Sequence, residues 1–172
     1  MRQKLVWVIG VLATLGSACM SDEKVPADGA RVWVDDQQGG QVGEVLKPDS
    51  DGLVRARVRV SSVTDLQTVG VSVEVKGAEI VSWSRNDAFL QEQGGQVLQL
   101  AGHNDGNRLE LIVATTRPVT ASKAGATIAE VVLRPIADVG SVHVSYDGDN
   151  HGVIDARGER VALSSVETQI QR

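Results

Sequence analysis

An all-β sandwich or barrel is the architecture this 172-residue chain predicts, and three observations carry it. Apolar residues recur at every second position over short stretches. Clusters of Gly, Asp, Asn and Ser separate those stretches, and no helical period survives beyond a turn or two. A period of two with one apolar side marks a half-buried strand. Nine or so such runs at 8–15-residue spacing fit two packed sheets or one closed sheet.

Taken in order, Arg31-Val32-Trp33-Val34 opens the pattern and a Gly-rich loop at Gly39-Gly40 follows. Leu53 to Val60 alternates cleanly, with Val54, Ala56, Val58 and Val60 on one side and Arg55, Arg57 and Arg59 on the other. Val69, Val71, Val73 and Val75 repeat the device against Thr68, Gly70, Ser72 and Glu74. Further strands are expected at Ala78 to Trp83, Gln96 to Leu100, Arg108 to Ala114, Thr127 to Leu133, Ser141 to Tyr146 and Arg160 to Ser165. Turns are expected at Pro48 to Gly52, Lys76-Gly77, Gly94-Gly95, His103 to Gly106 and Asp147 to Asn150. The one helical candidate is a turn near Asn86 to Gln93, where Phe89 and Leu90 are placed to plug an end of the sandwich. No internal repeat is visible.

The N-terminus is organised differently. Arg2 and Lys4 precede an apolar stretch of eleven residues, Leu5 to Leu15, and Gly16-Ser17-Ala18 supply small residues before Cys19. Eleven is too few to span a bilayer, which needs about 20, so the stretch reads as a removable export signal. Leu15-Gly16-Ser17-Ala18-Cys19 resembles a bacterial lipoprotein lipobox, which implies lipidation of Cys19 as the mature N-terminus. The same small residues also fit ordinary cleavage after Ala18. With Met20 and Ser21 following and no aspartate, the resemblance implies a lipid-anchored cell-envelope location, at the outer membrane in a double-membraned host. Residues 1–19 are thus a signal peptide, 20–29 a polar tether, 30–168 the sandwich and 169–172 a tail. As a flexible coil the tether spans about 17 Å.

Without residues 1–19 the chain carries 15 basic and 22 acidic side chains, so the formal charge moves from −5 to −7. No basic block exists, which removes the electrostatic term that nucleic-acid binding needs. About 150 residues make one domain able to bury roughly 68–70% of its unfolded surface without a disulfide.

From Leu53 to Leu163 the order of features resembles the cohesin domain, a nine-stranded jelly-roll β-sandwich related to carbohydrate-binding modules. The residues that carry this are Val58 to Leu66 stepping into Val69 to Val75, and the Phe89-Leu90 pair. Gly106 with Leu109, Leu111 and Val113 follows, then Gly125 with Ile128, Val131, Leu133 and Arg134. Gly140-Ser141-Val142-His143-Val144 and the closing run Asp155-Ala156-Arg157-Gly158-Glu159-Arg160-Val161 complete it. The resemblance implies a non-catalytic binding or assembly module whose partner is another envelope or secreted protein. A polysaccharide ligand, and an accessory role in a secretion or pilus machine, are the alternatives.

Individual sites follow from residue chemistry. Asp147-Gly148-Asp149-Asn150-His151-Gly152-Val153-Ile154-Asp155 looks like the first nine positions of a calcium loop, with Asp147, Asp149 and Asp155 as oxygen ligands. His151 at the fifth position and Gly158 at the twelfth depart from that pattern, so a polar hairpin is the competing reading. No cofactor beyond weak calcium is expected. His103, His143 and His151 have no zinc spacing, and no nucleophile elbow or carboxylate pair is evident, so no enzymatic activity is expected. Trp33, set opposite Val32 and Val34, is the one aromatic expected to face outward as a sugar platform; Trp83 is expected in the core. Arg55, Arg57 and Arg59 put three like charges on one strand face, about 6.5–7 Å apart. They either pair with acids on neighbouring strands or form a docking patch for an acidic partner or anionic polysaccharide.

Overall fold

In the computed structural model, residues 29–37, 42–146 and 152–172 are described, apart from the side chains of Leu90 and 99–101. Twelve strands and one short helix follow in order. They are β1 (Arg31–Asp36), β2 (Val54–Ser61), β3 (Val63–Lys76), β4 (Ala78–Arg85), α1 (Ala88–Glu92) and β5 (Val97–Asn104). After these come β6 (Arg108–Ala121), β7 (Ala126–Pro135), β8 (Val139–Ser145), β9 (Gly152–Asp155), β10 (Arg160–Val161), β11 (Ser164–Ser165) and β12 (Thr168–Gln171).

Two sheets result. The five-stranded sheet runs β11-β1-β2-β7-β4, and the seven-stranded sheet runs β10-β9-β3-β6-β5 with β8 joining β3 to β12. This is the expected sandwich, almost wholly β. The alternation in β2 holds residue for residue: Val54, Ala56, Val58 and Val60 are buried, while the three arginines between them lie on the outer face. Across the gap Val69, Val71, Val73 and Val75 of β3 meet them, joined by Leu109, Leu111, Val142 and Val144 of the same sheet. Burying each such side chain fully stabilises by about 1.5–3 kcal/mol.

Passage between the sheets is abrupt. A single residue, Ser62, separates β2 from β3, and it adopts φ +57. Its amide donates to the Ser122 carbonyl at 3.1 Å. Gly77 alone separates β3 from β4 at φ +66. A Cβ there would stand 2.7 Å from the Val139 carbonyl oxygen, so only glycine fits the crossing.

Four local expectations need correction. Alternation against Ser82 and Ser84 predicts Val81 inward together with Trp83, but a β-bulge falls between Ile80 and Ser82. The extra residue turns Val81 outward to 39% exposure and keeps Trp83 against the core, packed across to Gly102 of β5. The single strand expected at Arg160 to Ser165 is divided, β10 joining the seven-stranded sheet and β11 the other. The tail read at 169–172 is structural: β12 pairs with β8, Ile170 is buried, and it bridges in parallel to Leu46. Strand β6 runs past Ala114 to Ala121, taking in Pro118 where the register against β3 shifts. The helical turn near residue 88 is present as α1, with Phe89 packed on the core.

The Trp83–Gly102 contact closes the side of the sandwich between the end strands β4 and β5. An added Cβ at Gly102 would overlap the six-membered ring of Trp83. Gly102→Ala is therefore expected to destabilise by about 1–3 kcal/mol through overpacking, measured by urea unfolding. A change within experimental error would show that Trp83 does not seal this side.

Candidate functional site

The sandwich offers two outer faces with different chemistry. On the five-stranded sheet the register sets Trp33 opposite Arg59 and Asp35 opposite Arg57, with Glu130 of β7 beyond Arg57. Asp35 is buried and accepts from both arginines, from Arg57 Nε at 3.1 Å and from Arg59 Nη1 at 3.0 Å. Arg59 also donates through Nη2 to the carbonyls of Ala124 and Gly125, at 2.6 and 2.9 Å. Its guanidinium lies 5.4 Å from the centre of the Trp33 ring, a cation–π placement. Arg55 is held apart from these two, paired with Asp49 at 2.7 Å and Asp51 at 2.6 Å in the turn before β2. That contact with Arg55 depresses the Asp51 carboxyl below its ordinary range, and Asp51 in turn raises Arg55. The three like charges are thus separated into two locally compensated groups.

Trp33 does point away from Val32 and Val34, as its alternation requires, but it is only 3% exposed. Arg59 covers its ring, and the ring edge fills the space where Gly125 would carry a Cβ, 2.5 Å from Cη2. A flat platform for a pyranose face is therefore absent at Trp33. What the sequence reading lacked was Asp35, whose place opposite Arg57 depends on the β1–β2 register.

Asp155 also departs from its expected role. Its carboxylate accepts from the amides of Arg157 and Glu159, at 2.9 and 3.0 Å, and from Arg157 Nε and Nη2, at 3.0 and 2.8 Å. Gly158 turns the chain at φ +79. With four donors engaged, this carboxylate pins the β9–β10 turn and presents no free oxygen to a cation. Asp147, Asp149 and Cys19 lie outside the described residues. Among the described residues no cluster of His, Cys, Asp and Glu has metal-binding geometry, and no helix is long and apolar enough to cross a membrane.

The seven-stranded sheet shows a plainer surface. Gly70 and Ser72 of β3 are small, and Ala114 of β6 lies beside them with Ile112, the last two half-buried. Around them stand Glu74, Glu110, Arg108, His143 and His103. Arg108 donates to Ser72 Oγ, which is buried, at 2.8 Å, and it pairs with Glu110 at 3.0 Å, where both charged side chains are half-exposed. Such solvent-exposed pairs are worth about 0–1 kcal/mol and rearrange easily. His143 alternates outward from Val142 and Val144, half-buried opposite Glu74.

The fold is similar to that of cohesin modules. A non-cellulosomal cohesin of the archaeon Archaeoglobus fulgidus superposes with a TM-score of 0.60 at 10% identity, over 83% of this chain and 90% of that one. The sixth cohesin of Acetivibrio cellulolyticus scaffoldin B, solved with a Cel5 dockerin, gives 0.61 at 11% identity, over 83% and 98%. A type I cohesin of Clostridium thermocellum, solved as a cohesin–dockerin complex, gives 0.55 at 10%, over 87% and 97%. Identities this low establish a cohesin-like fold. No family model matches the sequence, and no curated protein matches it.

The β9–β10 turn makes a pH prediction. Arg157 first, then the Glu159 amide, hold the Asp155 carboxyl below its ordinary value of 3.8. A carboxyl depressed in the folded chain stabilises fully above its unfolded value and loses that contribution as pH falls through the lower folded value. Asp155→Ala is expected to lower the melting temperature by a few degrees at neutral pH. The gap to wild type should narrow steadily once pH drops below about 4. A gap that stays constant down to strongly acid pH would show that ionisation at Asp155 contributes nothing.

Proposed function

We propose that this chain is a non-catalytic binding module of the cell envelope, lipid-anchored through Cys19, that grips a protein partner with the outer face of its seven-stranded sheet. The observation that carries the reading is the contrast between the two faces. On the five-stranded sheet, arginines and acids of the same domain engage one another. On the seven-stranded sheet, half-buried Ala114 and Ile112 beside the buried Gly70 and Ser72 are ringed by polar and charged side chains, the arrangement of small or apolar centre and polar rim found at protein interfaces. The cohesin-like fold supports a protein rather than a sugar as partner, since two of the superposed modules were solved bound to dockerins. Nothing among the described residues offers an exposed aromatic platform at Trp33 in favour of the sugar reading.

Cross-linking and pull-down from intact cells test this directly. Ile112→Asp is expected to reduce recovery of the cross-linked partner about tenfold, the scale of one interfacial anchor. Arg134→Glu on the opposite sheet should leave recovery unchanged, and Cys19→Ala should abolish palmitate incorporation and release the protein from membranes. Equal recovery by the Ile112 and Arg134 variants would place the interface elsewhere.

A further inference from the structure

The Trp33–Arg57–Arg59 group retains unused binding capacity. Two guanidinium groups share the single carboxylate of Asp35. Three N–H donors in the same two-by-two block of the β1–β2 register meet no acceptor among the described residues: Trp33 Nε1, Arg57 Nη2 and Arg59 Nε. Each is buried, and a buried donor left unmet is destabilising. Glu130, the register neighbour of Arg57 on β7, accepts instead from Gln37 Nε2 at 3.4 Å. The two guanidinium groups keep 20% and 16% of their side chains exposed, so they form the solvent-side layer of the group.

Three unmet donors beside two guanidinium groups are what a further carboxylate would satisfy. We infer that this block of the five-stranded sheet is a receptor for a carboxylate side chain on an acidic protein segment. Asp35 serves as the built-in counter-ion that pre-orients both arginines. The incoming group would approach over the exposed part of the Arg57 side chain and accept from Nη2 as that guanidinium turns toward it. A charge-assisted bond of this type is about twice as strong as a neutral one. The face differs from the one assigned above to partner grip, so either assignment stands without the other.

The full chain, 15N-labelled and held in detergent, gives a direct readout in the indole N–H signal of Trp33, assigned by its loss in Trp33→Phe. A hexaglutamate peptide is expected to shift that signal saturably, while a hexaglutamine peptide leaves it in place. Arg57→Gln should weaken the hexaglutamate affinity about tenfold, one charge-assisted bond. If Arg57→Gln fails to fold, Arg57→Lys keeps the charge, removes the Nη2 donor and should give a similar loss. A signal that does not move, moves equally with hexaglutamine, or is indifferent to both Arg57 variants overturns the inference. A response to oligogalacturonate alone overturns the peptide assignment and makes the ligand an acidic polysaccharide.

Discussion

Interlocked valine and leucine side chains between two sheets are the contact on which every other feature of this domain rests. Strands β2 and β7 on one side and β3, β6 and β8 on the other contribute fully buried residues such as Val58, Val131, Val71, Leu111 and Val144. Valine is short and branched at Cβ, so it holds one rotamer on a pleated surface and lets two layers approach closely. The sheets must also be traversed by one continuous chain, and the sequence does this with almost no linker. Ser62 and Gly77 each turn the backbone through a left-handed conformation at the boundary. Short crossings keep consecutive strands facing each other, so closing the core requires little ordering of loops.

With the core fixed, function is confined to what the outward positions carry. Gly70 and Ser72 on β3 and Ala114 on β6 put small residues at the middle of one outer face, whereas alternating arginines on β2 build a charged one. The charged surface is not simply repulsive, because Asp35 sits between two of its arginines and Asp49 with Asp51 holds the third. That arrangement ties β1, β2 and the β6–β7 turn together through Arg59 and the ring of Trp33.

How far the sequence revealed this differs from element to element. Strand β2 was legible to the residue because its pattern is set by one face meeting oil and the other water. The same logic failed at Val81, since a bulge inserts one residue and reverses the parity of everything before it. Trp33 was correctly placed on the outer face, yet its burial depends on Arg59 and Gly125, which reach it from 26 and 92 positions away in the chain. Asp155 looked like a cation ligand because oxygen donors in a tight turn serve metals and backbone amides equally well. Only the positions of the Arg157 and Glu159 donors decide between them. Strand β12 escaped notice because four residues with only Ile170 strongly apolar give no period to detect.

The bulge in β4 has a consequence beyond the placement of Trp83. As the terminal strand of its sheet, β4 would otherwise offer a straight ladder of backbone groups on which a second molecule could extend the sheet. The bulge interrupts that ladder at mid-strand, and the Ile80 backbone is occupied by the Gly106 carbonyl and the Asn104 side chain. Glu79 and Arg85 add charge at either end. Polymerisation through this margin is thereby disfavoured, a safeguard of particular value to a domain made almost entirely of strands.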